Sequence, residues 1–408
     1  MQSKNKLYIT AIMAILTFSI FLASIPMAKA AGPYDWSMFR HDLWHTGFST
    51  SPAPSTNQTL WTYTTGGYIT SSPAVVDGKV YVGSYDNKTY CLNAATGASI
   101  WNFTAGELVA SSPAVANGRV YIGAEDDKIY CLDAASGALL WYYTTGGDVV
   151  SSPAVSDGKV YLGSKDDKVY CLNALTGAHI WDFATSGDLI SSPAIADGKV
   201  YIGSYDNRLY CLDAATGQYL WDFATGGYVH SSPAVADGKV YVGSNDTRIY
   251  ALNALTGALV WNFTTGAEVI SCPAVADGKV YVGSYDDKVY CLDSLTGAHI
   301  WNYTTGSDVH SSPAVADGKV YVCSRINNMI HCLNAVDGTL IWSYRTGMFA
   351  YCSPAVANGV VYIGSLDKKV YAFSSGPPVP EGLTTGVMLL LSTVAVTIGA
   401  RYFRKRAK

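Results

Sequence analysis

A segment of about forty residues that returns through most of the chain constrains the fold more than any other feature. The copy from Ser71 to Gly106 reads SSPAVVDGKVYVGSYDNKTYCLNAATGASIWNFTAG. A Pro-Ala pair and a tryptophan each occur eight times at this spacing, so the fold must be an array of eight similar units. The prolines of these pairs are Pro73, Pro113, Pro153, Pro193, Pro233, Pro273, Pro313 and Pro354.

The turn chemistry of one copy predicts a four-stranded antiparallel sheet. The expected strands are Ala74–Val76, Val80–Gly83, Thr89–Leu92 and Ser99–Thr104, and Asp77-Gly78 joins the first two. One such sheet cannot bury both faces, so neighbouring sheets must stack. Radial stacking removes nearly all free edges, which favours a β-propeller over a parallel β-helix, whose turns do not reverse the chain every ten residues.

The two ends of the repeat region predict how the ring closes. Trp61 belongs to a fourth strand that precedes the first full copy, and the last copy has three strands with no tryptophan after them. We therefore predict an all-β, eight-bladed propeller over residues 61–376, in which the Trp61 strand completes the last blade.

The N-terminal part lies outside the period. Residues 1–30 have a basic start, an apolar run and a small-x-small cleavage site, which predicts a signal peptide. Residues 31–60 form an N-terminal segment and linker. His41, Asp42 and His45 lack further ligands at metal spacing, so we expect an aromatic plug under the propeller and no metal site.

The C-terminal part has the pattern of a membrane anchor. Residues 377–382 form a Pro-rich linker, 383–400 are uncharged and long enough for a transmembrane helix, and 401–408 form a basic tail expected in the cytoplasm. The alternative is a sorting signal that is removed before the protein is re-anchored. Both predict an exported protein on the cell surface, held at the cytoplasmic membrane with the propeller outside.

The charge of the exported part excludes one class of partner. Without the signal peptide and the basic tail, 19 basic residues stand against 31 acidic ones, a net charge of −12. Nucleic acid requires a basic surface, so we expect none, and we expect a monomeric propeller whose charge opposes self-association. Possible N-glycosylation sequons occur at Asn57, Asn87, Asn102, Asn245, Asn262 and Asn302.

The nine cysteines follow the repeat more than they follow a disulfide pattern. Six occupy one position of the third strand, where two copies have alanine, which indicates a small buried site. Equivalent sites on adjacent blades should be too far apart for a disulfide. Cys272, Cys323 and Cys352 lie off this position, and one pair among them stays open.

The eleven residues from Cys91 to Trp101 resemble the tryptophan-docking motif of pyrroloquinoline quinone (PQQ)-type propellers. Six more copies of this frame follow, and the resemblance covers residues 34–376. It implies an eight-bladed PQQ-like propeller, of the non-enzymatic branch that is similar to outer-membrane assembly lipoproteins. It also implies that adjacent blades are locked by Trp61, Trp101, Trp141, Trp181, Trp221, Trp261, Trp301 and Trp342.

An enzymatic function is the alternative that the resemblance brings with it. PQQ-dependent quinoprotein oxidoreductases carry long insertions, adjacent cysteines, a calcium site and a catalytic aspartate. This chain has no Cys-Cys pair and no insertion of that size, so we expect no cofactor and no catalytic residue; PQQ with Ca²⁺ belongs only to the alternative. The repeated aspartates (Asp86, Asp126, Asp166, Asp206, Asp246, Asp286 and Asp367) lie in hairpin turns, where Asp satisfies local backbone groups.

Differences between the copies point to a candidate binding site. The loop that enters each first strand varies most, and the first strand of a propeller blade is innermost, so these positions should ring one mouth of the central channel. An acidic, aromatic and histidine-bearing mouth suits a sugar, a cationic peptide or a metal, and we expect an envelope or extracellular protein or a glycan as the partner. The candidate residues are Tyr68, Asp148, Asp188, Tyr228, His230, Glu268, Asp308, His310, Phe349 and Tyr351.

Overall fold

The computed structural model describes residues 34–376, which form eight antiparallel sheets arranged as a ring of blades. The predicted signal peptide (1–30), linker (377–382), transmembrane helix (383–400) and basic tail (401–408) lie outside the described residues. No helix within 34–376 is long and apolar enough to span a bilayer. The all-β, eight-bladed prediction is confirmed.

Each of the first four blades is a meander of four consecutive strands. Their strands are β3 Ala74–Val76, β4 Lys79–Ser84, β5 Lys88–Asn93 and β6 Ser99–Thr104 in blade 1; β7 Ala114–Ala116, β8 Arg119–Ala124, β9 Lys128–Asp133 and β10 Leu139–Thr144 in blade 2; β11 Ala154–Ser156, β12 Lys159–Gly163, β13 Lys168–Asn173 and β14 His179–Ala184 in blade 3; β15 Ala194–Ala196, β16 Lys199–Gly203, β17 Arg208–Asp213 and β18 Tyr219–Ala224 in blade 4.

The second half of the ring continues the pattern, with strands from the N-terminal segment added to blades 7 and 8. The strands are β19 Ala234–Ala236, β20 Lys239–Gly243, β21 Arg248–Asn253 and β22 Leu259–Thr264 in blade 5; β23 Ala274–Ala276, β24 Lys279–Ser284, β25 Lys288–Asp293 and β26 His299–Thr304 in blade 6; β27 Ala314–Ala316, β28 Lys319–Ser324, β29 Met329–Asn334, β30 Leu340–Arg345 and β1 Phe48–Ser49 in blade 7; β31 Ala355–Ala357, β32 Val360–Gly364, β33 Lys369–Ser374 and β2 Gln58–Thr64 in blade 8.

Local sequence accounts for the hairpins. Asp77 and Gly78 both have positive φ, 51° and 69°, as a two-residue turn between twisted strands requires. The first and fourth strands have the predicted bounds, and the second and third extend one residue further at each end, to Lys79–Ser84 and Lys88–Asn93.

The ring closes as the sequence indicates. In blade 8, β2 pairs with β33, so that Trp61 lies opposite Ala372 as Trp101 lies opposite Cys91 in blade 1. The first and last parts of the propeller therefore share one sheet, which holds the ring shut.

The hydrophobic core lies between blades and is centred on the tryptophans. Trp101 packs with Tyr81 and Cys91 of its own blade against apolar side chains of blade 2. Its indole N–H donates to the Ala134 carbonyl at 3.2 Å, and the Tyr81 hydroxyl donates to the same oxygen at 3.2 Å. A Cβ at Gly137 would lie 2.6 Å from the indole, so this position has room only for glycine.

The repeated aspartates form hydrogen bonds both within their own blade and to the neighbouring blade. The Asp126 carboxylate accepts a hydrogen bond from the Tyr130 hydroxyl, four residues later in the strand that follows the turn. Its Oδ2 also accepts the Gly106 N–H, 2.9 Å away, from the segment that leaves the outer strand of blade 1. The local interpretation is therefore incomplete, because these carboxylates also tie one blade to the next.

The N-terminal segment lies within the ring and closes one end of the channel. It runs past the innermost strands and accepts backbone hydrogen bonds from residues at one position of six blades: Val75, Val115, Ile195, Val235, Val275 and Val315. Phe48–Ser49 then pairs in parallel with β27. The segment therefore satisfies donors on the free inner edges of these short strands.

The side chains of this segment are held as a plug. Arg40 is 1% exposed, and its guanidinium donates to the carbonyls of Pro273 and Pro313. His41 and Asp42 contact each other, and within residues 34–376 no cluster of three or more potential ligands could hold a metal.

All nine cysteines are buried free thiols, so no pair among Cys272, Cys323 and Cys352 is bonded. Cys91 and its equivalents occupy the expected small site, where burial raises the pKa of the Cys91 thiol to about 12. The Cys352 thiol donates a hydrogen bond to the Gly364 carbonyl and accepts one from the Gly364 N–H.

Candidate functional site

The end of the channel opposite the Asp-Gly turns between first and second strands opens into a cavity of about 770 Å³. We call this end the upper face; it contains the loops that enter the first strands and the turns between second and third strands, joined by bonds such as Tyr85 N–H to the Tyr68 carbonyl at 2.8 Å. The lower face contains the Asp-Gly hairpins and the turns between third and fourth strands, joined by bonds such as Ala94 N–H to the Gly78 carbonyl at 2.9 Å. Phe39 of the plug lines the cavity.

A closed ring of small polar side chains surrounds the cavity. Each backbone N–H at this position donates to the side chain of the equivalent residue on the next blade, from Ser72 N–H to Ser112 Oγ at 2.9 Å and round to Ser353 N–H to Ser72 Oγ at 2.9 Å. The backbone uses these side chains only as acceptors. The hydroxyl protons of the seven serines therefore remain available for a ligand. The ring consists of Ser72, Ser112, Ser152, Ser192, Ser232, Cys272, Ser312 and Ser353.

A second ring of residues, two positions earlier in the repeat, varies strongly between blades. Its members all line the cavity, and they are Thr70, Ala110, Val150, Ile190, His230, Ile270, His310 and Tyr351. Three of the ten candidate residues, His230, His310 and Tyr351, belong to this ring. The structure therefore brings these three together on the wall formed by blades 5, 7 and 8.

Only two of the other seven candidates line the cavity, Tyr68 and Asp188. Asp148 forms an ion pair with Lys165 at 2.8 Å, and Asp308 is buried against Arg325 at 2.7 Å. Tyr228 stacks on Tyr205 with ring centroids 4.9 Å apart.

Glu268 and Phe349 also lie outside the lining. Glu268 accepts a hydrogen bond from Asn245, 3.4 Å away, and Phe349 packs against the Tyr351 ring, with centroids 6.2 Å apart. Asp148, Tyr228, Glu268, Asp308 and Phe349 therefore lie outside the cavity lining, each in contact with a neighbouring side chain. A role of the ten candidates in ligand binding stays a prediction.

Sequence reasoning missed a third set of lining residues, in the turn between second and third strands. These side chains reach the cavity because the turn pairs with the entry loop. A signal for them existed, since this position has six residue types in the eight copies while its neighbours hardly change. The missed residues are Tyr85, Glu125, Lys165, Tyr205 and Leu366.

One side of the cavity is an aromatic and histidine wall. The rings of His230 and His310 are 6.1 Å apart, and Tyr351 meets His310 edge-on at 5.0 Å. The Tyr205 hydroxyl lies 3.4 Å from Nδ1 of His230. The Arg325 guanidinium lies 5.8 Å from the centre of the Tyr351 ring, a cation–π distance.

Burial keeps the two histidines uncharged. It lowers the pKa of His230 to about 4 and that of His310 to about 3, where the neighbouring His230 and Arg325 add to the effect. Each imidazole therefore offers one donor and one acceptor at neutral pH. Together with the hydroxyl ring, this wall suits an uncharged polar ligand with an apolar face.

The residues at the cavity do not fit a quinone held with a divalent cation. A hard cation such as Ca²⁺ requires six or more oxygen ligands converging on one point. Glu125 and Asp188 are the carboxylates on the lining and belong to different blades. Asp148 and Asp308 already form ion pairs, with the side chains of Lys165 and Arg325.

The sequons differ in exposure. Asn57, Asn102, Asn262 and Asn302 are exposed, and Asn87 and Asn245 are half-buried in turns of the upper face. Glycosylation stays a prediction for all six.

Comparison with known protein families shows which family the chain is related to. Three overlapping segments, 50–182, 165–272 and 264–373, match the model of the outer membrane protein assembly factor BamB. The chain belongs to the BamB family. This family membership agrees with the PQQ-like resemblance of the repeat. No curated protein sequence matches the chain.

Solved structures similar to this BamB-family propeller include a BamB protein and two dehydrogenases. BamB from Moraxella catarrhalis is 19% identical, with a TM-score of 0.69 over 78% of this chain and 100% of that one. A europium-containing methanol dehydrogenase is 14% identical, with a TM-score of 0.72 over 84% and 98%. Quinohemoprotein alcohol dehydrogenase from Comamonas testosteroni is 15% identical, with a TM-score of 0.73 over 86% and 82%. At these identities the likeness shows the fold alone.

Proposed function

We propose that this chain is a cell-surface propeller, tethered to the outer side of the cytoplasmic membrane through residues 383–400, that binds an envelope protein or a glycan in the upper cavity. The observation that carries the proposal is where the eight copies differ. Their strands, turns and tryptophans are nearly the same, whereas all eight residues at one variable position and five of the eight at another line the cavity.

The chemistry of the lining supports binding over catalysis. Neutral imidazoles, tyrosines and a ring of hydroxyls provide hydrogen bonds and apolar faces, and the two carboxylates on the lining, Glu125 and Asp188, belong to different blades. Such a surface recognises the alternating polar edges and apolar faces of a sugar, or a protein loop with polar side chains. The family model is named for an assembly factor, which agrees with a binding role in the envelope.

An array experiment with the full chain in detergent tests this function. The chain is applied to a glycan array and to an array of peptides from envelope proteins, and the proposal expects selective binding to one of the two. The quinoprotein alternative is tested by adding PQQ and Ca²⁺ and measuring cofactor absorbance and dye reduction. Binding of PQQ with dye reduction, and no binding on either array, would overturn the proposal.

A further inference from the structure

Exposed apolar side chains are concentrated at the lower face of the propeller. The turns between third and fourth strands carry Leu175, Leu255, Leu295 and Val336, whose side chains are 64–71% exposed. The same position is Ala in blades 1, 2 and 4, and it is never polar in the seven copies of this turn. These residues project from the rim opposite the cavity.

A β-bulge exposes a second apolar residue next to each of these turns. In blade 1, Trp101 pairs with Cys91 and Ser99 pairs with Leu92, which leaves Ile100 between them without a partner. The bulge turns the tryptophan inward and the preceding side chain outward. The bulged residues of blades 1 to 7 are all Ile, Leu or Val, and they are 39–45% exposed.

The centre of the lower face also carries an aromatic side chain. Trp44 belongs to the plug and is 54% exposed. It does not line the cavity, whereas Phe39 of the same plug does. Trp44 therefore faces the other opening, at the middle of the apolar rim.

The described chain ends at this same face. Strand β33 runs from the upper turn to Ser374 at its lower end, where Ser375 accepts a hydrogen bond from Ser55 N–H at 2.7 Å. Gly376 is seven residues before Leu383, where the uncharged stretch 383–400 begins. A fully extended chain spans at most ~3.6 Å per residue, so the lower face lies within about 25 Å of that stretch.

We propose that the lower face rests on the lipid bilayer, with the apolar rim and Trp44 in the interfacial layer and the upper cavity directed away from the membrane. The occupant is the lipid surface, because the chain leaves this face towards its own apolar segment and aliphatic and Trp side chains suit that interface. This inference rests on the membrane tether of the proposed function.

Fluorescence quenching in liposomes tests the proposal on the full chain. Leu255→Cys and Leu295→Cys are each labelled with an environment-sensitive fluorophore, with Glu107→Cys of the upper face as the matched position. The unsubstituted chain, whose nine cysteines are buried, gives the background. Spin-labelled lipid should quench the two lower positions at least threefold more than position 107.

Resistance to carbonate extraction, measured in parallel, separates the inference from the tether. Retention without quenching at positions 255 and 295 leaves the tether standing and overturns the lipid-facing proposal. Extraction together with quenching refutes the span and supports lipid contact, and extraction without quenching overturns both. Cross-linking between position 255 of two copies, without quenching, assigns the face to a second copy and overturns the proposal.

Two variants exclude a general structural effect. Leu255→Ala and Leu295→Ala introduce the residue that three other blades already have at this position, so the melting temperature should not change. Their combination should reduce association of the chain with liposomes when residues 383–408 are removed, and unchanged association would contradict the role of the rim.

Discussion

The indole of Trp101 lies over Gly137 of the next blade, where a Cβ would come within 2.6 Å of the ring. The same relationship joins Trp221 to Gly257, and the Trp221 indole N–H donates to the Ala254 carbonyl at 3.3 Å. We infer that these pairs hold the ring together.

Replacing Trp221 by alanine should destabilise the propeller strongly. The side chain is 8% exposed, and its loss leaves a cavity between blades 4 and 5, which typically costs about 3–5 kcal/mol. Thermal melting of the full chain measures the effect. Trp44→Ala, which removes an exposed indole, should leave the melting temperature in detergent unchanged, and an equal loss in both variants would contradict the interlocking role.

The Asp246 carboxylate should be energetically coupled to Tyr250. Its Oδ2 accepts the Tyr250 hydroxyl and the Gly226 N–H, both at 2.6 Å. Asp246→Ala leaves the hydroxyl of the buried Tyr250 without its partner, whereas Tyr250→Phe removes that hydroxyl. A double-mutant cycle by denaturant unfolding should show a coupling of about 0.5–3 kcal/mol, and strictly additive effects would rule out the interaction.

Cys323 and Ala350 form a natural size exchange that can be reversed. The equivalent pairs are a glycine with a larger aliphatic residue, such as Gly283 with Val309, whose contact leaves no room for a Cβ. Ala350→Val should therefore overpack the core and cost about 1–3 kcal/mol. Adding Cys323→Gly should restore most of the melting temperature, and a double variant no better than Ala350→Val would refute the exchange.

The stability of the propeller should fall as the pH drops from about 6.5 to about 4. Burial lowers the pKa of His45 and of His331 to about 4, below the ordinary value of about 6.5 in the unfolded chain. The unfolded chain binds protons first, so the stability present above pH 6.5 is lost on acidification. Each histidine contributes on the order of 3 kcal/mol over this range.

The variant His331→Phe isolates one of these contributions. His331 is 4% exposed and stands where the other blades have tyrosine, so an aromatic ring fits the site. Melting temperatures measured from pH 7 to pH 4 should decline less steeply in the variant. An identical slope would mean that this imidazole does not titrate on unfolding.

Local chemistry made the frame predictable. Asp77-Gly78 specifies its own turn, and Trp61, outside the full copies, indicated how the last blade is completed. The path of residues 34–49 could not be predicted, because it depends on backbone donors at the inner edges of strands far away in sequence. The two hydrogen bonds of Asp126 differ in how far the sequence predicts them. The bond to Tyr130 is local, whereas the bond to Gly106 requires the neighbouring blade.

The candidate site was predictable as a location and less so as a set of side chains. His230, His310 and Tyr351 were found because the innermost strand places them on the channel. Lys165 and Tyr205 were missed because tertiary pairing of their turns with the entry loops directs them inward. Asp308 was expected at the channel mouth, and its ion pair with Arg325 holds it outside the cavity lining.

The affinity of the strongest array ligand for cavity variants tests the central claim most directly. Titration calorimetry would compare the full chain with the double variant His230→Ala/His310→Ala and with Tyr351→Ala, using Tyr142→Ala on the outer surface as the control. The account predicts at least about tenfold weaker binding for both cavity variants, about 1.4 kcal/mol, with the control unchanged. Equal affinity in all four proteins would contradict a binding site in the upper cavity.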